Sequence, residues 1–447
     1  MTTRINTRAR LAPLAALCLA LALPAARASA QFFPGDFEQD IPGVWIEQDG
    51  NVKSRTVDTD KELAAIRARA RQAEKAAKDQ KLSFVSLPKV FAQVRALKES
   101  GKDIPDELRY LGGLTQVRYV FVYPDEKDLV VAGPAEPFKV VGDGMYAIGT
   151  KSGRPVMQLD DLVVAMRTAA SHRGRVFGCR IDPNPDSVEI SKKVMQDHAR
   201  STRKERMAAM EKALGPQIVS VFGTAADTRL AFVLVAADYK LKRFAMGLEP
   251  AAAGAPGVGI GHAVDNSRSA MNRFWFEAGF DPMRVSPDGN AFEFRGPRLK
   301  VLAGAFSFDP RGATPKAMAF AKKFSDRMDA VAVAEPLVAE LQNIADLSLL
   351  ATLIRHDRLD RKAGWDAGWL MDDGTYSMKK TPAPATADTL VSATAGSIAA
   401  GGVQFNINPV LDNREPDDRG ELDQSRRQVM KMRQGTSGET PVWAQTP

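Results

Sequence analysis

The order of apolar runs and turn signals predicts an α+β fold, and three observations carry it. Between residues 175 and 277 the pattern reads strand, helix, strand, strand, helix, strand, the split βαβ order of ferredoxin-like folds. Hairpins of alternating residues recur on both sides of that block. A helix beginning at Pro336 places Leu337, Leu341, Ile344, Leu347, Ala351 and Ile354 on one face, as a packed core helix does. The expected organisation is a leader at 1–30, a hairpin and helices at 31–110, an α+β core at 111–357 and a largely disordered tail at 358–447. The core is divisible into 111–172 and 175–357.

Each element has its own signal. Val44–Ile46 and Val52–Val57 flank Gln48–Asn51, and Asp49–Gly50 tolerates the positive φ of a tight hairpin turn. Lys61–Gln80 is rich in strong helix formers. Pro88–Glu99 carries Val90, Phe91, Val94 and Leu97 at helical spacing, with proline in the first turn, where its missing N–H costs nothing. Val117–Tyr123 and Asp128–Ala132 form a hairpin about Pro124–Lys127. Tyr146–Met157 reads as strand broken at Ser152–Pro155, and Asp160 or Asp161 then caps a helix to about Ser171.

The central block starts with a strand at 175–181. A long helix follows from about Asp186 to Leu214, stopped by Gly215–Pro216. After a strand at 217–222, Leu230–Val235 reads as a buried central strand and 238–247 as a helix; the strand at 272–277 closes the set. Glu249–Ser267 reads as a connection. Strands recur at 283–286, 291–295 and 298–306, the first two joined by a Pro287–Asn290 turn, and two helices end the core. From about Asp360 the composition loosens. Pro382–Pro384, the Ala/Thr/Gly stretch to Gly402 and the polyampholyte Asp412–Arg427 predict disorder, with one short helix at Glu421–Arg433.

Four strings carry a resemblance: Gly112–Leu114, Tyr119–Pro124, Asp128–Glu136 and Phe232–Glu249. On these the chain resembles, over about 111–354, a family of exported bacterial proteins known only as a domain of unknown function. The resemblance implies export and brings no catalytic residues.

The N-terminus supports export independently. Arg4, Arg8 and Arg10 precede an apolar run, Leu11–Leu23, and Ala28–Ala30 supplies a small-x-small pattern, so Sec-type cleavage is expected between Ala30 and Gln31. The uncharged stretch is too short to span a bilayer, and no transmembrane segment is expected in the mature chain. Of 61 Lys+Arg against 54 Asp+Glu, the leader holds Arg4, Arg8, Arg10 and Arg27 and no acid. Cleavage therefore lowers the net charge from +7 to +3 and argues against a nucleic-acid partner. Cys18 leaves with the leader, so Cys179 remains alone in a strand, where it reads as a small buried residue, and no disulfide is expected.

No chemical motif survives its own spacing test. Asp182, Asn184 and Asp186 match the start of a calcium loop, but Ser187 and Lys193 stand where the glycine and the closing glutamate belong. One residue too many separates Gly149 from Lys151 for a phosphate loop, and Gly257, Gly259 and Gly261 do not follow a strand. Ser86 and Lys89 have the spacing of penicillin-recognising acyl transferases without the partner motifs, so the start of a helix explains them better. His172, His198, His262 and His356 are scattered; no metal site and no cofactor is expected.

Two basic segments remain. Along Val188–Leu214, the cations Lys192, Lys193, His198, Arg200, Arg203, Lys204, Arg206 and Lys212 alternate with Glu189, Asp197, Glu205 and Glu211, as on a solvated face. Asp238, Tyr239, Lys242 and Arg243, directly after the expected strand, form the densest ligand-binding candidate. Asp238 would cap the helix, and the other three would share one exposed face. The functional expectation is a non-catalytic periplasmic or cell-surface binding or assembly protein, with an envelope protein or polysaccharide as partner. The rivals are an envelope hydrolase whose carboxylates meet only in space and a polyanion-binding module.

Overall fold

The computed structural model describes residues 44–47, 50–54, 68, 82–141, 144–171, 176–249, 271–305, 308–392, 397–435 and 444–445. The leader with Ala30 and Gln31, almost all of the expected helix at 61–80 and the Gly257–Gly261 loop lie outside them.

The chain opens with β1 (Val44–Ile46), β2 (Asn51–Ser54) and β3 (Leu82–Ser86), then α1 (Leu87–Glu99). The hairpins β4 (Tyr119–Tyr123) with β5 (Asp128–Pro134), and β6 (Phe138–Val141) with β7 (Tyr146–Gly149), lead to α2 (Leu159–Ala170). Next come β8 (Val176–Asp182), α3 (Pro185–Asp197), α4 (Arg203–Leu214), β9 (Gln217–Phe222) and α5 (Arg229–Met246). Strands β10 (Met271–Ala278), β11 (Met283–Val285), β12 (Ala291–Glu293) and β13 (Leu299–Gly304) follow. Helices α6 (Pro315–Ser325), α7 (Met328–Ala334) and α8 (Pro336–Asp357) precede β14 (Thr386–Ala387), β15 (Val391–Ser392) and β16 (Ser397–Asn406). The last elements are β17 (Arg414–Pro416), α9 (Glu421–Gly435) and β18 (Ala444–Gln445).

These elements form an α+β fold with two large mixed sheets. The first runs β1-β2-β14-β9-β8-β16-β10-β13, with β15 alongside β16; the second runs β17-β11-β12-β4-β5-β3-β18. Helices α2, α5 and α8 pack on one another, and α5 lies across β8 and β16. Strand alternation divides the second sheet cleanly. Val85, Val120, Val122, Leu129 and Val131 enter the main core, whereas Phe84, Phe121, Tyr123 and Val130 face Leu422 and Val429 of α9. Helix α8 is long and apolar enough to cross a membrane, but 94% of its apolar window is buried inside the fold, as expected of a core helix.

Three expectations are corrected. The run at 230–235 is the first third of helix α5, not a strand. Thr228 caps it by accepting the Ala231 amide, and Gly247, in the left-handed region at φ 69, stops it. Every α5 side chain is buried, so no polar face marks the helical period. The long helix at 186–214 is two helices, because a capping box between Thr202 and Glu205 starts α4 afresh. Asp160 and Asp161 sit in the first turn of α2 rather than at its cap, which is Gln158, whose side chain makes no capping bond and donates instead to the Met145 carbonyl at 2.8 Å.

The fourth correction is the largest. The described residues of 358–392 and 397–435 are not a disordered tail: β16 is the strand between β8 and β10, antiparallel to the first and parallel to the second. The 175–277 block therefore does not close a sheet by itself, since the missing central strand comes from far downstream. The charges of 412–427 are likewise engaged, Arg414 with Asp357 and Arg284 with Asp417 and Glu421. Of the remaining tail, 436–443 and 446–447 lie outside the described residues.

The glycines of β16 have a steric purpose. A Cβ on Gly402 would run into the Cys179 carbonyl oxygen, and one on Gly401, at φ +127, into that of Phe274. Gly402→Ala is expected to destabilise the fold by about 3 kcal/mol or more, read as a lower urea midpoint with an unchanged slope. An unaltered midpoint would show that β16 does not lie this close to β8.

Candidate functional site

A cleft of about 840 Å³ opens where α2, the β9–α5 connection and residues 373–380 meet. Helix α2 supplies one wall because Asp160, Asp161, Val164, Arg167, Thr168 and the following Ser171 recur three to four residues apart. The second wall is Gly223–Ala225 and Asp227 with Thr228 and Arg229 at the start of α5. Asp373 and Ser377–Lys380 form the third. Four carboxylates and four cations thus line one cleft of a size typical for small-molecule sites.

Most of these charges hold a partner. The Arg167 guanidinium donates to the Leu370 and Tyr376 carbonyls at 2.7 and 2.8 Å and pairs with Asp373, which anchors the third wall to α2. Lys380 meets Asp227 at 2.7 Å, and the Tyr376 hydroxyl donates to Asp160, also at 2.7 Å. Thr168 and Thr224 hydroxyls bridge α2 to the second wall at 2.9 Å. Exposed Lys379 has no ion-pair partner among the described residues.

The floor is a buried charge cluster. Arg229 pairs with Asp161, meets Glu340 of α8 at 2.7 Å and donates to the Met145 carbonyl at 2.7 Å; its guanidinium lies over the Tyr146 ring. Burial pushes the Asp161 carboxyl up, against the pull of Arg229, and pushes Glu340 up to about 7. Asp161 is 2% exposed, and its Oδ1 has no hydrogen-bond partner among the described residues. A buried acceptor left without a donor is costly, so its position at the cleft floor marks where a ligand's donor fits.

The residues singled out in the sequence lie elsewhere. Asp238, Tyr239, Lys242 and Arg243 are not an exposed face at the end of a strand: all four are buried within α5. Lys242 bridges Asp238, one turn away, at 2.7 Å and the Gly401 carbonyl at 3.0 Å, tying α5 to β16. Arg243 pairs with Glu249, and Lys240 meets Glu249 at 2.5 Å and Glu335 at 3.7 Å. None of the four lines the cleft. Sequence reasoning missed Arg167, Thr224, Asp227, Arg229, Asp373, Lys379 and Lys380, which come from segments far apart along the chain. The one local signal was the helical spacing that puts Asp160, Val164 and Arg167 on a single face of α2.

The remaining motifs have structural uses. Ser86 caps α1 by accepting the Lys89 amide, and its hydroxyl donates to buried Asp128 at 2.6 Å. Asn184 caps α3. In the Gly149–Arg154 turn the Lys151 and Ser152 amides donate to Glu136 at 2.7 and 2.8 Å, so the chain's own carboxylate occupies them. On α3, Lys192 pairs with Glu189 at 2.5 Å, as on a solvated helix. Cys179 is buried in β8, and burial pushes its thiol up. Among the described residues no group of three or more His, Cys, Asp or Glu is placed to hold a metal.

No curated protein and no solved structure matches the chain. Residues 179–257 match a protein family described as Protein of unknown function (DUF1598), a span that includes β9, the second wall of the cleft and α5. This segment lies inside the stretch whose strings resemble a domain of unknown function.

Proposed function

We propose that the protein is exported through its N-terminal leader and acts outside the cytoplasm as a non-catalytic binding protein, taking a small polar ligand in the cleft between α2 and α5. One observation carries this reading. The walls are cross-braced by their own ion pairs, while Asp161 Oδ1 at the floor is buried and has no donor among the described residues. Such a cleft is preorganised, and a ligand's hydrogen bond there replaces nothing already made.

A second reading rests on the same residues. Asp161 is held up by burial, whereas Lys380 holds Asp227 below the usual carboxylate range; acids pushed apart in this way suit the acid and base of a hydrolase. One experiment separates the two. The mature form, beginning at Gln31, is screened by thermal shift against amino acids, short peptides, amino sugars and oligosaccharides, and each binder is followed overnight by proton NMR. The expected result is a binder that raises the melting temperature of the wild type by several degrees, fails to do so for Asp161→Asn and is not consumed. Consumption that disappears in Asp161→Asn would replace the binding reading with the hydrolase. A panel without any binder would remove the cleft as the site.

A further inference from the structure

The charge balance of the floor narrows the ligand class, given that the cleft is the binding site. Asp161 and Glu340 share a single guanidinium, that of Arg229, and Asp160 lies beside Asp161 in the cleft wall. Asp160 and Asp161 also lie in the first turn of α2, and Arg229 opens α5, so two helix N-termini contribute. Each is worth roughly half a positive charge. At pH 8, above the value of about 7 to which Glu340 is pushed, the three carboxylates outnumber the roughly two positive charges, and the floor is short by about one cation. The rim is different: Asp373 and Asp227 are balanced by Arg167 and Lys380, and Lys379 adds an unbalanced ammonium.

We infer that the cleft binds the free amino terminus of a short peptide, its ammonium donating to Asp161 Oδ1 at the floor and its carboxylate lying toward Lys379 at the rim. An ammonium has the donors that the floor lacks. It supplies the missing charge beside Asp160, and the Thr168 and Thr224 hydroxyls stand in the same cleft as further acceptors. A buried carboxylate already holding one arginine is completed by a second donor without disturbing the first. A neutral polyol offers hydroxyl donors but leaves the charge deficit in place, and an anion adds to it. The volume of about 840 Å³ admits several residues of peptide.

The test compares trialanine, N-acetyl-trialanine and trialanine amide by calorimetric titration at pH 8. N-acetylation is expected to weaken binding at least tenfold and amidation two- to fivefold. Asp161→Asn should reproduce the first loss. Lys379→Ala should reproduce the second and leave the affinity for the amide unchanged. Circular dichroism and melting of each variant exclude unfolding as the cause. Equal binding of the acetylated peptide, or full affinity in Asp161→Asn, overturns the inference. If the peptides fail while a neutral oligosaccharide binds in an Asp161-dependent way, the ammonium assignment falls and the cleft stands. If nothing binds, both fall.

Discussion

Ending the chain after Arg358 is expected to abolish cooperative folding. That cut keeps every element of the expected core but removes β16, leaving β8 and β10 without the strand that joins them. It also removes Trp365, Leu370, Tyr376, Leu390, Val403, Phe405, Ile407, Val410 and Leu411 from the main core. Burial of one such side chain is worth about 1.5–3 kcal/mol, and a whole domain is stable by only about 5–15 kcal/mol. The loss therefore exceeds the total stability. The truncated protein should show no cooperative thermal transition and little amide dispersion by NMR. A cut after Gly435 keeps α9 on the second sheet and loses, among described contacts, only the pairing of β18 with β3; it should melt within a few degrees of the full chain. A cooperative melt of the protein cut after Arg358 would show that β16 is dispensable.

The tail was misread for a physical reason. The alanines and glycines at 399–402 lower hydrophobicity and side-chain bulk just as disorder does, yet here they let β16 fit between two neighbours at close range. Composition alone does not separate a chain that fails to pack from one that packs unusually tightly. The α5 run was misread because a helix buried on all sides has no hydrophobic period, although Thr228 and Gly247 mark its two ends. Where one face meets solvent or a single partner, local pattern sufficed, as for the β4–β5 hairpin and α1. The Thr202 and Glu205 capping box was present in the sequence and outweighs the continuous helix propensity around it. The cleft was illegible because its three walls meet only through the packing of α2, α5 and the 373–380 segment. Asp238 and Lys242 have the four-residue spacing of an exposed pair, and only the sheet laid over them reveals that they are buried.

Replacing Arg229 by methionine is expected to cost about 3–5 kcal/mol at pH 8, because it leaves Asp161 and Glu340 buried without their shared cation. The loss should depend on pH. In the wild type, Glu340 is raised from 4.5 to about 7 and Asp346 from 3.8 to about 6, in both cases chiefly by burial. A carboxyl raised on folding contributes stability that is fully present below its unfolded pKa and is lost as the pH rises through the folded value. The wild type should accordingly be more stable at pH 5.5 than at pH 8, with Glu340 contributing about 2 kcal/mol of the difference. Carboxyls held low, such as Asp288 at about 2, act only in more acidic solution and do not enter this window. Glu340→Gln removes one titrating group, so its urea midpoint should vary less between pH 5.5 and 8 than that of the wild type. Asp346 keeps a residual slope, which the added Asp346→Asn change should flatten. In Arg229→Met the slope should steepen, since both orphaned acids then take up protons more readily and regain stability as the pH falls. A wild-type midpoint that rises from pH 5.5 to pH 8 and is indifferent to Glu340→Gln would mean that this carboxyl reaches solvent. The floor of the cleft would then lack the buried charge deficit on which recognition of an ammonium depends.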